Sequence, residues 1–484
     1  PPRSTLFPYT TLFRSETPMN EYQKFIESKK LVVADAGFAP LSIPDYCFPF
    51  QKYCVETAIR RGRSALFLNT GMGKTRCQIE WARQVAEHTG KPVFIAAPLA
   101  VSQQTVREAK RMGIDVKYCK DGDEVSGSRI CISNYERIGK FDHSLWSGVV
   151  LDESSILKSY SGAMKTAIFK AFARTPYKLA CTATPAPNDH LELGNHAEFL
   201  DVMSSHQMIA RWFINDTSQF GTYRLKGHAR TPFWDWVSSW ATMASLPSDL
   251  GDFSDDGYIL PPLVDTTHIV DVDLSRDSDS ATLFRIVEMS ATNLHKEKRR
   301  TASARARKLA ELVAAEPDEQ WLLWCETDYE ADAITDAISD ALDVRGSQSL
   351  DVKENALSGF SDGSVRILVT KPKLAGFGLN FQNCARVAFV GATYSFESYY
   401  QSIRRCWRFG QRRPVHVHMV ASSTEREVLA ALASKRDEFT QMREQMFLAA
   451  RRAKQAKAAD GSYCPTVPMV LPSWLTSERK SNAA

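Results

Sequence analysis

The sequence has no Cys-x-x-Cys pair: its ten cysteines, at 47, 54, 77, 119, 131, 181, 325, 384, 406 and 464, fall at spacings unsuited to zinc, a usage that fits reduced thiols. It lacks any apolar run near the roughly 18 residues a spanning helix needs. Its N-terminus lacks the continuous apolar core of a secretory signal, so a cytoplasmic location is expected. Strong charge of either sign is missing too, since 60 basic against 56 acidic residues leave only +4. Affinity for a polyanion must therefore come from local clusters. No nuclease or methyltransferase constellation is visible, and any such activity would have to come from a partner.

What remains is an ordinary apolar fraction, 44%, in 484 residues, enough for two or three cored domains. Residues 1–15, PPRSTLFPYTTLFRS, repeat Thr-Leu-Phe and carry no amphipathic period. They read as translated sequencing adapter, and Met19 opens a plausible start, so 1–18 is expected to be a non-native or disordered leader.

Short unalternated apolar runs recur with helix-length segments between them: ALFLN (65–69), PVFIAA (92–97), ICIS (130–133), GVVLD (148–152) and KLACTA (178–183). A second series follows: WLLWC (321–325), RILVT (366–370), VAFVG (387–391) and VHVHMV (415–420). Strands of a parallel sheet covered on both faces look like this, and two such series imply two α/β sheets. Between them, DLGDFSDDGYILPPLVD resists regular structure, which puts the domain junction near Pro261 and Pro262.

FLNTGMGKT (67–75) joins a predicted strand to a predicted helix. Gly71 and Gly73 let backbone N–H groups turn on phosphate oxygens, with Thr70 and Met72 between and beside them. Lys74 can reach the β and γ phosphates and Thr75 can hold Mg²⁺. The full fingerprint wants Gly where Leu68 stands, so the pattern is incomplete, and a plain strand-to-helix turn is the competing reading. VVLDESS (149–155) ends a strand with two acids: Asp152 is expected as the metal partner and Glu153 as the base. The competing reading, a surface turn, weakens once the acids are paired with Lys74.

ACTATPAPND (180–189) closes the next strand with Thr182 and Thr184. With GMGKT, DESS, TATPAPN, AGFGLNF (375–381) and QSIRRCWRFGQ (401–411) in that order, the chain resembles the motor core of superfamily 2 helicases, in particular the SWI/SNF-like branch. That branch reads Q-x-x-x-R-x-x-R-x-G-Q in its last motif, and Gln401, Arg405, Arg408, Gly410 and Gln411 match it. The likeness spans roughly 48–430. The chain departs from the branch at Asn69 and Thr70, where an acid and Met are usual, at DESS for Asp-Glu-Gly-His, and at Arg404, which replaces an acid.

The resemblance implies two tandem RecA-like domains with ATP and Mg²⁺ bound in the cleft between them. It implies that Gln51 reads the adenine edge, that Gly378 belongs to the nucleotide site, and that Gln401, Arg405 and Arg408 complete it from the second domain. It further implies an ATP-dependent DNA translocase or helicase, in a bacterial or infected host cell, with nucleic-acid contacts around Pro98, Thr370 and Asn380; an RNA helicase and an ATP-gated scaffold are the alternatives. The division expected is an N-terminal domain at 19–262 with a Trp-rich helical insert at 190–260, a linker at 263–300, a C-terminal domain at 301–450 and a basic tail at 451–484.

Other features carry less. Arg404, Arg412 and Arg413 have no assignment, and a solvated or DNA-facing role is open for each. Trp407 and Phe409 are expected against the sheet. Phe233, Trp236 and Trp240 share one helical face and are read as accessory core rather than a base-stacking element. His416 and His418 lack a third ligand for a metal. The basic run 295–300 with Arg305, Arg307 and Lys308 suits either a phosphate-tracking face or a solvated helix.

Overall fold

The computed structural model describes residues 35–459, apart from 159–161, 188, 216–222, 273–290, 373 and 375–379. The leader and the last 25 residues lie outside the described residues. Those described belong to one compact unit.

The first sheet takes strands β1 (Arg63–Leu68), β2 (Val93–Ala97), β3 (Lys117–Tyr118), β4 (Ile130–Asn134), β5 (Gly148–Asp152) and β6 (Tyr177–Cys181). A small antiparallel hairpin, β7 (Phe213–Asn215) with β8 (Tyr223–Leu225), stands apart, and β9 (Ala241–Ala244) rejoins the sheet. The order is β3-β4-β2-β5-β6-β1-β9, parallel throughout. Apart from the short edge strand β3, its strands are buried on both faces, hence their lack of alternation. Leu66, Leu68, Ile95 and Val150 pack with Trp81 and Val85 of the helix Lys74–Thr89. Phe67 meets Trp240 at 5.9 Å between ring centres, and Phe94 meets Trp146 at 5.0 Å.

The second sheet, β10 (Leu263–Val270), β11 (Trp321–Trp324), β12 (Ala341–Val344), β13 (Ile367–Thr370), β14 (Arg386–Val390) and β15 (Val415–Ser422), runs in the order β10-β15-β14-β11-β13-β12, again parallel. Two parallel-sheet α/β domains of this kind match the tandem RecA-like arrangement.

Several segments differ from the sequence reading. The stretch expected as a linker opens with β10, which pairs with β15 from Leu263↔Val415 to Val270↔Ser422. Chain returns as the helix Ala291–Ala315. The Trp-rich insert contains β9, whose pairing of Ala65 with Ala241 adds a strand to the first sheet. Phe233, Trp236 and Trp240 are buried beneath it. The expected tail starts inside a helix, Arg426–Ala459, that reaches back to the first domain. There Gln445 Oε1 accepts from Trp234 Nε1 at 3.3 Å and Arg451 pairs with Asp249 at 2.6 Å. In the basic run, Arg305 is fully buried and paired with Glu330 at 3.1 Å, while Lys298 pairs with Glu326 at 2.8 Å. Neither of those two faces a phosphate track.

Candidate functional site

The carboxyl ends of β1, β6 and β5 lie side by side, which is where open parallel sheets hold ligands. After β1 the chain turns through Asn69–Gly73 into the helix Lys74–Thr89, with Gly73 as its N-cap. Gly71 and Gly73 sit at φ 92° and 79°, a region that side chains with a Cβ rarely enter. A Cβ on Gly73 would collide with the Gln51 amide. Gln51 braces the loop: Nε2 donates to Met72 O at 3.1 Å while Oε1 accepts from Phe48 N at 3.0 Å. Both ends of the amide expected to read adenine are thus engaged within the chain. Lys74 Nζ donates to Leu68 O at 3.0 Å, and Thr75 lines the same cleft.

Asp152 ends β5, its Oδ1 accepting from Gln78 Nε2 at 2.7 Å and from Glu153 N at 3.1 Å. Glu153 follows at φ 53°, a left-handed conformation whose strain is about 1–3 kcal/mol for a non-glycine residue. That kink turns it off the strand, and Thr182 Oγ1 donates to its carboxylate at 3.3 Å. Thr182 Oγ1 also accepts from Thr184 N at 3.1 Å. Burial holds both carboxyls above the ordinary range, with the Lys74 cation opposing it in each case. For Glu153 the charge of Asp152 adds to the upward shift.

The facing wall comes from the second domain, on the helix Phe396–Ile403 and the turn after it. Arg408 donates to the Asn380 side-chain oxygen. Burial and the nearby charges of Arg405 and Arg404 bring its guanidinium down to about 10. Arg405 is likewise lowered by burial and raised by the Glu153 carboxylate across the cleft. Gln401 donates to Glu397 at 3.3 Å, and Glu397 pairs with Lys158 of the first domain. Gly378 lies outside the described residues.

The unassigned residues sort themselves. Arg404 is buried and points at the phosphate loop, which sequence reasoning missed. The available signal was that Asn69, Thr70 and Arg404, the departures within the first and last motifs, are mutual contacts. Arg412 is exposed, whereas Arg413 pairs with Glu319 at 2.9 Å. Phe409 is on the loop side, 4.8 Å from the Tyr258 ring, rather than against the sheet. Of the residues expected at nucleic acid, Thr370 is buried with its hydroxyl on Val344 O at 3.3 Å. Pro98 and Asn380 line the cleft instead. A third histidine does approach the pair on β15, with His268 Nε2 3.1 Å from His418 Nδ1. Among the described residues no cluster could hold a metal through three or more His, Cys, Asp or Glu side chains.

The cleft encloses about 570 Å³ and brings together Lys74, Thr75, Asp152, Glu153, Gln401, Arg405 and Arg408. The half-buried guanidiniums of Arg405 and Arg408 crowd one wall of the cleft, opposite Lys74 and the glycines of the phosphate loop. That donor set fits a polyphosphate. Asp152 with Thr75 fits Mg²⁺, which commonly takes one or two protein ligands plus phosphate oxygens.

Residues 46–187 match the family described as type III restriction enzyme, res subunit, and residues 304–410 match the helicase conserved C-terminal domain. With the two-sheet cleft, these matches define a helicase-type ATP hydrolase acting on nucleic acid. The chain belongs to superfamily 2 of the helicases. It is 20% identical over 445 residues to "Putative protein p41" of Acyrthosiphon pisum secondary endosymbiont phage 1, taking in 79% of this chain and 94% of that protein. It is 34% identical over 83 residues to "Bifunctional helicase and thymine dioxygenase JBP2" of Leishmania braziliensis, which covers 17% of this chain and only 8% of that one. The JBP2 of Leishmania tarentolae is similar over 94 residues at 30%, or 9% of its length. No helix among the described residues is long and apolar enough to cross a membrane.

Proposed function

We propose that the chain is a SWI/SNF-like DNA translocase that couples Mg-ATP hydrolysis to movement along duplex DNA. One observation carries this reading: a lysine and two acids from one sheet and two motif arginines from the other line a single cleft. The spacing of Gln401, Arg405, Arg408, Gly410 and Gln411 favours the SWI/SNF-like branch over an RNA helicase.

Lys74 and the loop N–H groups grip the β and γ phosphates. Asp152 and Thr75 would hold Mg²⁺, which when bound would supply positive charge beside the phosphate oxygens. Glu153, whose proton affinity burial raises, takes the proton of the attacking water. Arg405 and Arg408 stabilise the charge spread over the γ-phosphoryl oxygens, an effect on the order of 10³ or more in rate. Because those arginines belong to the other domain, hydrolysis requires closure, and release of products removes the anion that held the two walls together. Alternation of the two states shifts the domains along a backbone track.

ATP hydrolysis measured alone, with duplex DNA and with RNA tests this. Stimulation by duplex DNA above RNA, weakening as salt rises, is expected. Equal turnover with and without any nucleic acid would favour the ATP-gated scaffold, and stronger stimulation by RNA would favour the RNA helicase.

A further inference from the structure

Arg404 has no part in the chemistry above, yet it is 2% exposed and faces the phosphate loop of the other domain. Its Nη2 donates to Asn69 Oδ1 at 2.9 Å and to Thr70 O at 3.0 Å, and its guanidinium lies 4.8 Å from the centre of the Trp407 ring. Both hydrogen-bond acceptors are uncharged, so among the described residues the buried cation has no carboxylate partner, an arrangement less secure than a paired one.

Asn69 is the hub of this contact. Its Oδ1 accepts from Thr70 N at 2.9 Å, which shapes the loop, and also from Arg404 and from Tyr400 OH at 3.3 Å, which come from the second domain. Its Nδ2 donates to Ser245 Oγ at 3.3 Å and its backbone N to Ala244 O at 2.9 Å, so the residue is anchored to β9. An amide oxygen has two lone pairs. Three donors exceed them, so the strength of the domain contact bears directly on the bond that shapes the loop. The chain continues outward, since Arg443 of the long C-terminal helix donates to Tyr400 OH at 3.2 Å.

We propose that Arg404 is a positioning residue that sets the phosphate loop from the second domain, so that nucleotide affinity depends on closure of the cleft. This rests on ATP occupying that cleft. By linkage the dependence is reciprocal: what holds Arg404 on Asn69 and Thr70 tightens nucleotide binding, and bound nucleotide favours the contact.

The test is steady-state ATP hydrolysis together with equilibrium binding of a non-hydrolysable ATP analogue to the full chain. Arg404→Ala should raise KM and the analogue Kd about tenfold, the scale of a lost charge-assisted hydrogen bond, while kcat at saturating ATP falls less than about threefold. Asn69→Ala, which leaves the packing around Arg404 in place, should do the same, and the double variant should be no worse than either single one. Arg404→Lys keeps a cation but has a shorter stem and no planar guanidinium to lie over the Trp407 ring while reaching Asn69 and Thr70, so it should retain the melting temperature without recovering KM. Wild-type KM in a folded Asn69→Ala or Arg404→Lys overturns the positioning role, as do additive effects in the double variant. Failure of the wild-type chain to bind the analogue at all overturns the ATP reading itself, a result distinct from either of these.

Discussion

Trp407 donates its indole N–H to the carbonyl oxygen of Pro261 at 2.7 Å, tying the arginine segment to the point where chain leaves the first domain. The neighbouring residue, Arg408, therefore enters the cleft from a position fixed against the junction. Arg404, three residues earlier, stacks on that same indole. A rotation of one sheet relative to the other about this junction moves all three cleft arginines together.

Arg408→Ala should lower kcat by about 10³ with little change in ATP affinity, because the guanidinium acts on charge that develops during transfer. Arg412→Ala, at an exposed position, should instead weaken DNA binding and reduce the salt slope by about 1. Turnover kinetics and salt-dependent binding isotherms read the two effects separately; identical behaviour of the two variants would remove the division between aimed and gripping arginines.

Lys74→Ala should abolish turnover and leave the fold intact. Among the described residues the ammonium's hydrogen bonds go to the carbonyls of Leu68 and Asn69 at the cleft, so its removal opens no core cavity. The drop in kcat/KM is expected to exceed about a hundredfold, as for other groups that bind transition-state charge. An unchanged circular dichroism melt with near-normal hydrolysis would remove the phosphate-loop assignment.

Glu153→Gln should bind ATP and hydrolyse it about 10²–10⁴ times more slowly, since the amide keeps the shape and loses the base. The same change should raise the melting temperature at pH 7 on the order of 1–3 °C. The sign follows from burial, which holds the folded-state pKa above the ordinary carboxylate value. Ionisation then disfavours the fold as pH rises through the folded pKa, and below the unfolded value, about 4.3, the cost is absent. The gain over wild type should accordingly shrink as pH falls into that range. Melting curves across pH 4–8 that show no convergence would mean that Glu153 is not a buried acid.

Much of this architecture was legible. The runs at 65–69, 148–152 and 178–183 are buried on both faces, and such strands announce themselves as unbroken apolar stretches. Strands β9, β10 and β12 escaped for opposite reasons. LVDTTHIV has polar residues through the middle because β10 is an edge strand with one side open, and ALDV is equally mixed on the other edge. ATMA continues without a break from a helix whose tryptophans dominate the local pattern. In the site, spacing identified Lys74, Asp152, Glu153, Arg405 and Arg408 as candidates because each belongs to a local motif. Arg404 could not be assigned from its neighbours, since its acceptors lie more than 330 residues away.

The Trp-rich insert decides what movement along DNA can do. Trp236 is 3% exposed, 4.5 Å from the Trp212 ring centre and 5.5 Å from that of Trp240, so its indole has no open face for a base. Trp236→Ala should destabilise the protein by about 3–5 kcal/mol, the range for removing a large buried aromatic, through loss of packing under β9. A strand-separating wedge would behave differently: its loss would spare the melting temperature and the ATPase and abolish fork unwinding alone. The buried placement therefore favours a translocase that displaces a third strand from a triplex more readily than it opens a forked duplex. Melting curves, triplex displacement and fork unwinding of wild type and Trp236→Ala check this together. Robust unwinding by the wild type, lost selectively in a variant of unchanged stability, would make the insert the separating element.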